Sequence, residues 1–206
     1  MNTLPQAPFA PVLEPHTASL PPAFARQFLQ TTPIRLAGTM HRVWHKPVLR
    51  PMFWVLGRLG ILVGKVGKDI PTTLALEITE KGQLWHRNLH FTPPIRFNSL
   101  NTYDPKIECV MEWIGPGHAL GMVWQIDFHP PQKLTLITTG WVLRLGNATL
   151  PVPNWFWPWT LGTAYTIQHA DENDENTIHI ELIICHKLLG EMFGYSGTFQ
   201  IAHTSF

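Results

Sequence analysis

Apolar and polar residues alternate along most of the chain from Thr72 to Ile201, with turn-forming residues at intervals. Successive side chains of a strand point to opposite faces, so this alternation predicts strands with one buried face. The connections between them are short, which favours antiparallel pairing because parallel strands need long crossovers. The pattern predicts a mainly β (α+β) fold: an antiparallel meander of about eight or nine strands that forms a barrel or a strongly curved sheet.

Two short helices are predicted ahead of the strands. One covers Ala23 to Phe28 behind a pair of prolines, and the other runs from Pro47 to about Leu62. Residues 1–20 are rich in proline and lack a continuous apolar stretch, so we expect a disordered tail there. Residues 21–206 are predicted to form a single β-rich domain.

The second helix combines an apolar body with basic residues, namely Arg50, Arg58, Lys65 and Lys68. Such a segment is typical of an amphipathic helix at a membrane interface. It equally suits a helix that caps the barrel and keeps its basic residues in solvent. We favour the cap.

Composition narrows the function classes. Hydrophobic residues make up 45% of the chain and charged residues only 14%, which is enough for a large core and low for a soluble surface. The formal net charge is +1, so nucleic acid is not expected as a partner. The longest apolar stretch, Met52 to Val63, is shorter than the roughly 20 residues that a spanning helix needs.

The compartment is inferred from the two cysteines and the start of the chain. Cys109 and Cys185 lie far apart, and no other feature indicates a disulfide framework, so we expect free thiols in a reducing environment. The first residues do not have the pattern of a signal peptide. We therefore expect a cytoplasmic protein, with peripheral membrane contact left open.

Motifs for common chemistry are missing from the sequence. It contains no Gly-x-Ser-x-Gly, His-Glu-x-x-His or Cys-x-x-Cys, and no Gly-x-Gly-x-x-Gly follows a strand. His86 and His90 are four residues apart, which on a strand separates them by about 13 Å, too far to share a metal. We predict no catalytic residue, no metal site and no cofactor, while an acid/base enzyme in an interior cavity stays as an alternative.

Arg87 is the most informative charged residue. Alternation places it on the same buried face as Trp85 and Leu89, where an arginine needs a partner or an anionic group. Glu112 is assigned by alternation to the polar face of its own strand, which argues against a direct pair. A structural role for Arg87 is favoured, and ligand recognition remains open.

A proline-rich loop contains four aromatic residues within five positions. These residues are Trp155, Phe156, Trp157 and Trp159. Large aromatic side chains usually bury themselves, so a plug at one end of the core is the favoured interpretation. A lid over the barrel mouth and insertion at a membrane interface are the alternatives.

Several short stretches, in order, resemble a bacterial family known as domain of unknown function 4166. The matching pieces are Leu20-Pro21-Pro22-Ala23-Phe24, Trp85-His86-Arg87, Phe91, Phe97, Ser99, Glu112-Trp113-Ile114-Gly115-Pro116, Gly140-Trp141, Leu150-Pro151-Val152-Pro153-Asn154-Trp155, Leu188-Leu189-Gly190 and Tyr195-Ser196-Gly197. The resemblance implies a bacterial accessory domain that also occurs fused to saccharopine-dehydrogenase-like domains. It implies no reaction and no catalytic residues.

Together these observations predict a non-catalytic binding module with an apolar cavity or groove for a hydrophobic or lipid-like ligand. The predicted ligand-binding residues are Trp85, Arg87, Trp124, Trp141 and Tyr195. The alternative is an accessory interaction domain whose Trp/Pro loop docks on a dehydrogenase-like protein or a membrane. A cavity above roughly 300 Å³ favours the binding module, and a filled interior with an exposed aromatic patch favours docking.

Overall fold

The computed structural model describes residues 6–146 and 148–202, and the first five residues of the predicted tail lie outside this part. Eleven strands are present: β1 Ile34–His45, β2 Gly67–Thr79, β3 Gly82–Leu89, β4 Ile95–Asp104, β5 Cys109–Ile114, β6 Leu120–His129, β7 Lys133–Leu145, β8 Ala148–Pro151, β9 Thr163–Ala170, β10 Thr177–His186 and β11 Gly190–Ala202. The helices are α1 Ala10–Leu13, α2 Pro22–Phe24, which continues as a π-turn over Ala25–Leu29, and α3 Arg50–Arg58, which follows a 3-10 turn at Pro47–Leu49.

The strands form one antiparallel sheet that closes on itself. Its order is β6-β5-β4-β3-β2-β1-β11-β10-β9-β7-β8, and the additional pairing of β6 with β7 closes a barrel of ten strands. Strand β8 pairs only with the end of β7 and stands outside the closed ring. The predicted mainly β barrel is confirmed, with β1 and β8 adding to the predicted strand count.

Local irregularities help the sheet to curve. The strand pairing leaves one extra residue in β1 at His41, in β7 at Thr139 and in β11 at Met192, and such bulges increase twist and bend the strand that contains them. At Gly38 of β1, an added Cβ would lie 2.0 Å from the carbonyl oxygen of Thr198. A side chain there would collide with the neighbouring backbone, so glycine permits the close approach of β1 and β11.

Helix α3 ends earlier than the predicted Leu62 because its last turn is capped. Gly60 has a φ of +63°, a left-handed conformation that glycine adopts without steric cost. The amide of Gly60 donates to the carbonyl of Gly57 at 3.2 Å, and the amide of Ile61 donates to that of Leu56 at 2.9 Å. This pair of bonds is the Schellman arrangement that terminates helices.

The N-terminal segment differs from the predicted disordered tail. Residues 6–33, which we call the strap, cross one end of the barrel and insert Phe9, Leu13, Phe24 and Phe28, each at most 1% exposed. The Phe9 ring lies 4.7 Å from that of Phe28 and 5.9 Å from that of Trp85. The prolines of this segment interrupt regular structure but leave its apolar side chains free to fill the barrel, and burial of those side chains orders the chain.

The two ends of the barrel have different connections. The strap end contains the strap and the connections 80–81, 105–108, 130–132 and 171–176. The α3 end contains α3 and the connections 46–66, 90–94, 115–119 and 187–189, together with residues 146 and 148–162, which include β8 and the predicted aromatic loop.

Candidate functional site

The barrel interior is mostly filled but retains a cavity of about 70 Å³. Most of its wall is apolar, with contributions from Leu74, Met122, Leu136 and Ile184 among others. Phe9 of the strap and Val63, just after α3, also line it, so the cavity reaches toward both ends of the barrel. Its size allows several water molecules or a small organic group, since one water needs about 10–15 Å³.

Arg87 projects from β3 into this cavity and is held by four neighbours. Its guanidinium donates to the Ser99 hydroxyl at 2.9 Å and to a Glu112 carboxylate oxygen at 3.1 Å. It also lies over the rings of Trp85 and Phe97, at 4.9 and 5.0 Å from their centroids. Two aromatic faces and two acceptors fix a planar guanidinium in position, which a lysine ammonium would not match.

Glu112 points into the barrel. The predicted assignment of Glu112 to the polar, outward face of β5 is therefore wrong. The carboxylate pairs with Arg87, and the two side chains are only 11% and 10% exposed. The opposite face of β5 is also apolar: Trp113 is 1% exposed although it lies outside the ring, because the Arg144 guanidinium covers it at 3.8 Å. Alternation cannot choose between two apolar faces, and this is why the prediction inverted them.

Tyr195 of β11 completes the polar part of the cavity. Burial raises the pKa of its phenol, the nearby Arg87 guanidinium opposes the shift, and the Glu112 carboxylate reinforces it. Among the described residues, no side-chain or backbone group forms a hydrogen bond with this hydroxyl. The phenol thus stands next to the ion pair with its donor and acceptor capacity unused.

Two buried amides on the cavity wall also have unused capacity. Asn101 on β4 and Gln168 on β9 are 1% and 2% exposed and line the cavity. Within the described part of the chain, Asn101 Nδ2 and Gln168 Oε1 have no hydrogen-bond partner. Unpaired buried polar atoms cost free energy, so their placement beside a cavity indicates a site for a polar guest.

Four of the five predicted ligand-binding residues line the cavity: Trp85, Arg87, Trp124 and Tyr195. Trp141 is buried at 4% exposure but is not part of the described cavity wall. Its indole donates instead to the carbonyl of Gly162 at 3.1 Å and fixes the connection before β9.

The predicted interaction loop divides into buried and exposed residues. Trp157 is 8% exposed and joins the core, whereas Trp155, Phe156 and Trp159 are 76%, 44% and 44% exposed. Trp157 anchors the loop through the apolar core, and a 3-10 turn at Trp157–Trp159 turns its neighbours outward. Of the four aromatic residues, only Trp157 is buried in the way that the favoured plug interpretation requires.

Three further features of the described residues bear on metal binding, thiol chemistry and membrane spanning. No group of three or more His, Cys, Asp or Glu side chains in that part of the chain is arranged to hold a metal ion. Both cysteines are free, and burial raises the pKa of each thiol. None of the described helices has the length and apolarity needed to cross a membrane.

Comparison with known proteins places the chain in a family. A family model described as "Domain of unknown function (DUF4166)" matches residues 20–199. The chain belongs to this family. The DUF4166 chain is 33% identical over 142 residues to "Uncharacterized protein YndH" of Bacillus subtilis (strain 168), covering 65% of the chain and 66% of that relative's length. No solved structure matches it.

Several cavity residues escaped sequence reasoning. Asn101, Thr166 and Gln168 sit at inward positions of strands whose outward residues are just as polar, so alternation gives no signal for them. Phe9 lies in a segment predicted to be disordered. The apolar character of the run around Phe9 and Leu13 was the available signal, and the surrounding prolines outweighed it.

Proposed function

We propose that this DUF4166 barrel binds a small amphipathic molecule in its interior, with an apolar body and a polar, uncharged head. The observation that carries the proposal is the convergence of Arg87, Glu112, Tyr195 and Asn101 on a mostly apolar cavity. A barrel that served only as a scaffold would be filled more favourably by apolar side chains, since each buried polar group must find a partner. An apolar pocket with a few convergent polar groups is the usual form of a ligand site.

The volume limits the ligand. The cavity of about 70 Å³ does not reach the roughly 300 Å³ that the sequence-based criterion for a binding module required, so the proposal is restricted to a small ligand. A molecule longer than a few carbon atoms would require one wall side chain to move. Phe9 is the wall residue that belongs to the strap and not to the barrel, so its displacement would enlarge the space with the barrel intact.

The ion pair defines the head group. Arg87 and Glu112 neutralise each other, so an anionic head would have to compete with the Glu112 carboxylate for the guanidinium. A hydroxyl or amide can accept from Arg87 or Tyr195 and donate to the carboxylate without disturbing the pair. The pair therefore favours an alcohol or an amide over a carboxylate or phosphate.

Native mass spectrometry of the protein purified from a bacterial host tests the proposal. We expect a stoichiometric mass increment, and organic extraction should release a neutral amphipathic compound. Where the protein emerges without a ligand, decanol and decanoate serve as probes, and decanol is expected to bind more tightly. An apo mass that is shifted neither by these probes nor by butanol, which is short enough not to require movement of Phe9, would contradict an interior binding site.

A matched pair of variants locates the site. Glu112→Gln removes the charge that excludes anions, so we expect the preference to reverse in favour of decanoate. Glu108→Gln changes the same residue type at the exposed connection before β5 and should leave the preference unchanged. Equal effects of both variants, with thermal unfolding showing that each is folded, would place binding outside the cavity.

A further inference from the structure

The α3 end of the barrel carries an unusual concentration of exposed apolar side chains. Among the described residues, all the exposed large apolar side chains except Ile107 and Tyr165 belong to this end: Val48, Met52, Trp54, Val55, Leu59, Val66, Leu143, Leu145, Leu150, Trp155, Phe156, Trp159, Leu188 and Leu189. Scattered exposed apolar residues are normal on proteins, but concentration on one face marks an interaction surface.

Helix α3 presents an apolar stripe to solvent. Val48, in the turn that precedes α3, and Met52, Val55 and Leu59 follow the spacing of one helical face, and their exposures are 76%, 37%, 47% and 45%. The opposite face is anchored by Phe53, whose ring stacks on His45 at 4.8 Å and on Phe193 at 5.6 Å. A helix that only capped the barrel would turn its polar residues outward, so this orientation calls for an apolar neighbour.

Contacts join α3 to the aromatic loop through the β10–β11 turn. The Lys46 ammonium donates to the carbonyl of Leu189, next to the start of α3. On the other side of this turn, the Lys187 amide donates to the carbonyl of Pro158 at 3.3 Å, and its ammonium lies 4.5 Å from the centroid of the Trp159 ring. The exposed residues of α3, of this turn and of the aromatic loop therefore lie next to one another.

The connections at the α3 end are basic, whereas those at the strap end are mainly acidic. The connections of the α3 end contain five basic residues and no acidic residue: Lys46, Arg50, Arg58, Lys65 and Lys187. The connections of the strap end contain three basic and seven acidic residues: Arg26, Lys81, Lys106, Glu14, Glu80, Glu108, Asp171, Glu172, Asp174 and Glu175. The partner of the α3 end is thus expected to be anionic.

We propose that the α3 end docks on an anionic lipid bilayer. Tryptophan favours the boundary between headgroups and acyl chains, and basic residues are attracted by anionic headgroups. Arg58 over Trp54 at 5.0 Å and Lys187 over Trp159 at 4.5 Å combine both preferences in single contacts. The contributing residues come from several separate connections across the barrel end, which suits a broad surface better than a narrow groove.

This docking surface consists of exposed residues, and the proposal does not depend on the interior cavity. Vesicle binding and ligand retention can therefore succeed or fail separately. If both hold, the cavity wall at Leu62 and Val63, in the connection between α3 and β2, would lie beneath the docked surface. A hydrophobic ligand would then have a route from the membrane that avoids water.

Vesicle flotation of the full chain tests the proposal. We expect binding to vesicles of phosphatidylcholine mixed with phosphatidylglycerol, much weaker binding to phosphatidylcholine alone, and loss of binding at high salt. Each basic residue at an anionic surface contributes about fivefold to the partition coefficient, so the triple variant Arg50→Gln, Arg58→Gln and Lys187→Gln should lose about a hundredfold. Trp155→Ser should weaken binding to both vesicle types.

The strap end supplies matched controls. Lys81→Gln with Lys106→Gln, and Ile107→Ser at an exposed apolar position, should leave flotation unchanged. Equal losses from these controls, or unchanged binding of the triple variant, would overturn the proposal. Failure to bind either vesicle type, together with loss of a complex with a purified dehydrogenase-like protein in the α3-end variants, would assign this face to a protein partner instead.

Discussion

The two ends of the barrel are covered in different ways. At the strap end, residues 6–33 insert Phe9, Leu13, Phe24 and Phe28 between the strands and leave acidic loops in solvent. At the α3 end, Phe53 and Trp157 enter the core while the residues around them stay exposed. The strap closes the strap end with its own apolar side chains. The α3 end is closed only partly and displays apolar and basic side chains.

This difference separates residues that stabilise the fold from residues available for interaction. Burial of an aromatic side chain contributes a few kcal/mol to stability, whereas an exposed one contributes little to the isolated protein. Aromatic residues of similar size should thus have opposite effects at the two ends. The predictions below test this contrast.

The largest expected effect comes from Phe28→Ala at the strap end. Phe28 is 0% exposed, and its ring contacts those of Phe9, Phe24 and Trp85. Truncation should lower the free energy of unfolding by about 3–5 kcal/mol, through lost burial and the cavity left behind. Denaturant unfolding measures this change, and a loss below about 1 kcal/mol would mean that the strap does not stabilise the barrel.

An intermediate effect concerns the acidic connection between β9 and β10. Hydrogen bonds lower the pKa of Asp171, chiefly from His179, and that of Asp174, chiefly from Thr177. A carboxyl whose pKa is lowered by folding stabilises the fold above its unfolded pKa of about 3.9, and this contribution disappears as the pH falls below that value. Asp174→Asn should reduce the loss of thermal stability between neutral and acidic pH.

Glu172→Gln is the matched control for that titration. It lies in the same connection, and its side chain forms no hydrogen bond with the described residues. Its melting temperature should follow the wild-type dependence on pH. A reduced acid sensitivity in this variant as well would mean that total charge, and not the capped carboxyls, controls the response.

The smallest expected effect comes from Trp155→Ala at the α3 end. Trp155 is 76% exposed, and its one aromatic contact within the described part of the chain is with Phe156, at 5.7 Å between ring centroids. The free energy of unfolding should change by no more than about 0.5 kcal/mol. A large loss in the same denaturant experiment would show that the aromatic loop stabilises the barrel, and the contrast between the ends would fail.

The interior shows how far alternation predicts a site. Trp85 and Arg87 alternate with residues that are clearly polar, and the structure places both on the inner wall as expected. For Glu112, alternation assigns the wrong face. Met111 and Trp113, on the other face of β5, are apolar because a second cluster outside the ring buries them. Only the pairing of β3, β4 and β5 brings the Glu112 carboxylate within hydrogen-bonding distance of Arg87.

The sequence by itself determined most of the strands, their antiparallel pairing and family membership, because these depend on local alternation, turn residues and motif order. The tertiary structure alone decided the closure of β6 on β7, the insertion of the strap and the Arg87–Glu112 pair. It also decided which apolar residues stay exposed at the α3 end. These features depend on contacts between residues far apart in the chain, and an apolar side chain carries no local mark of what will cover it.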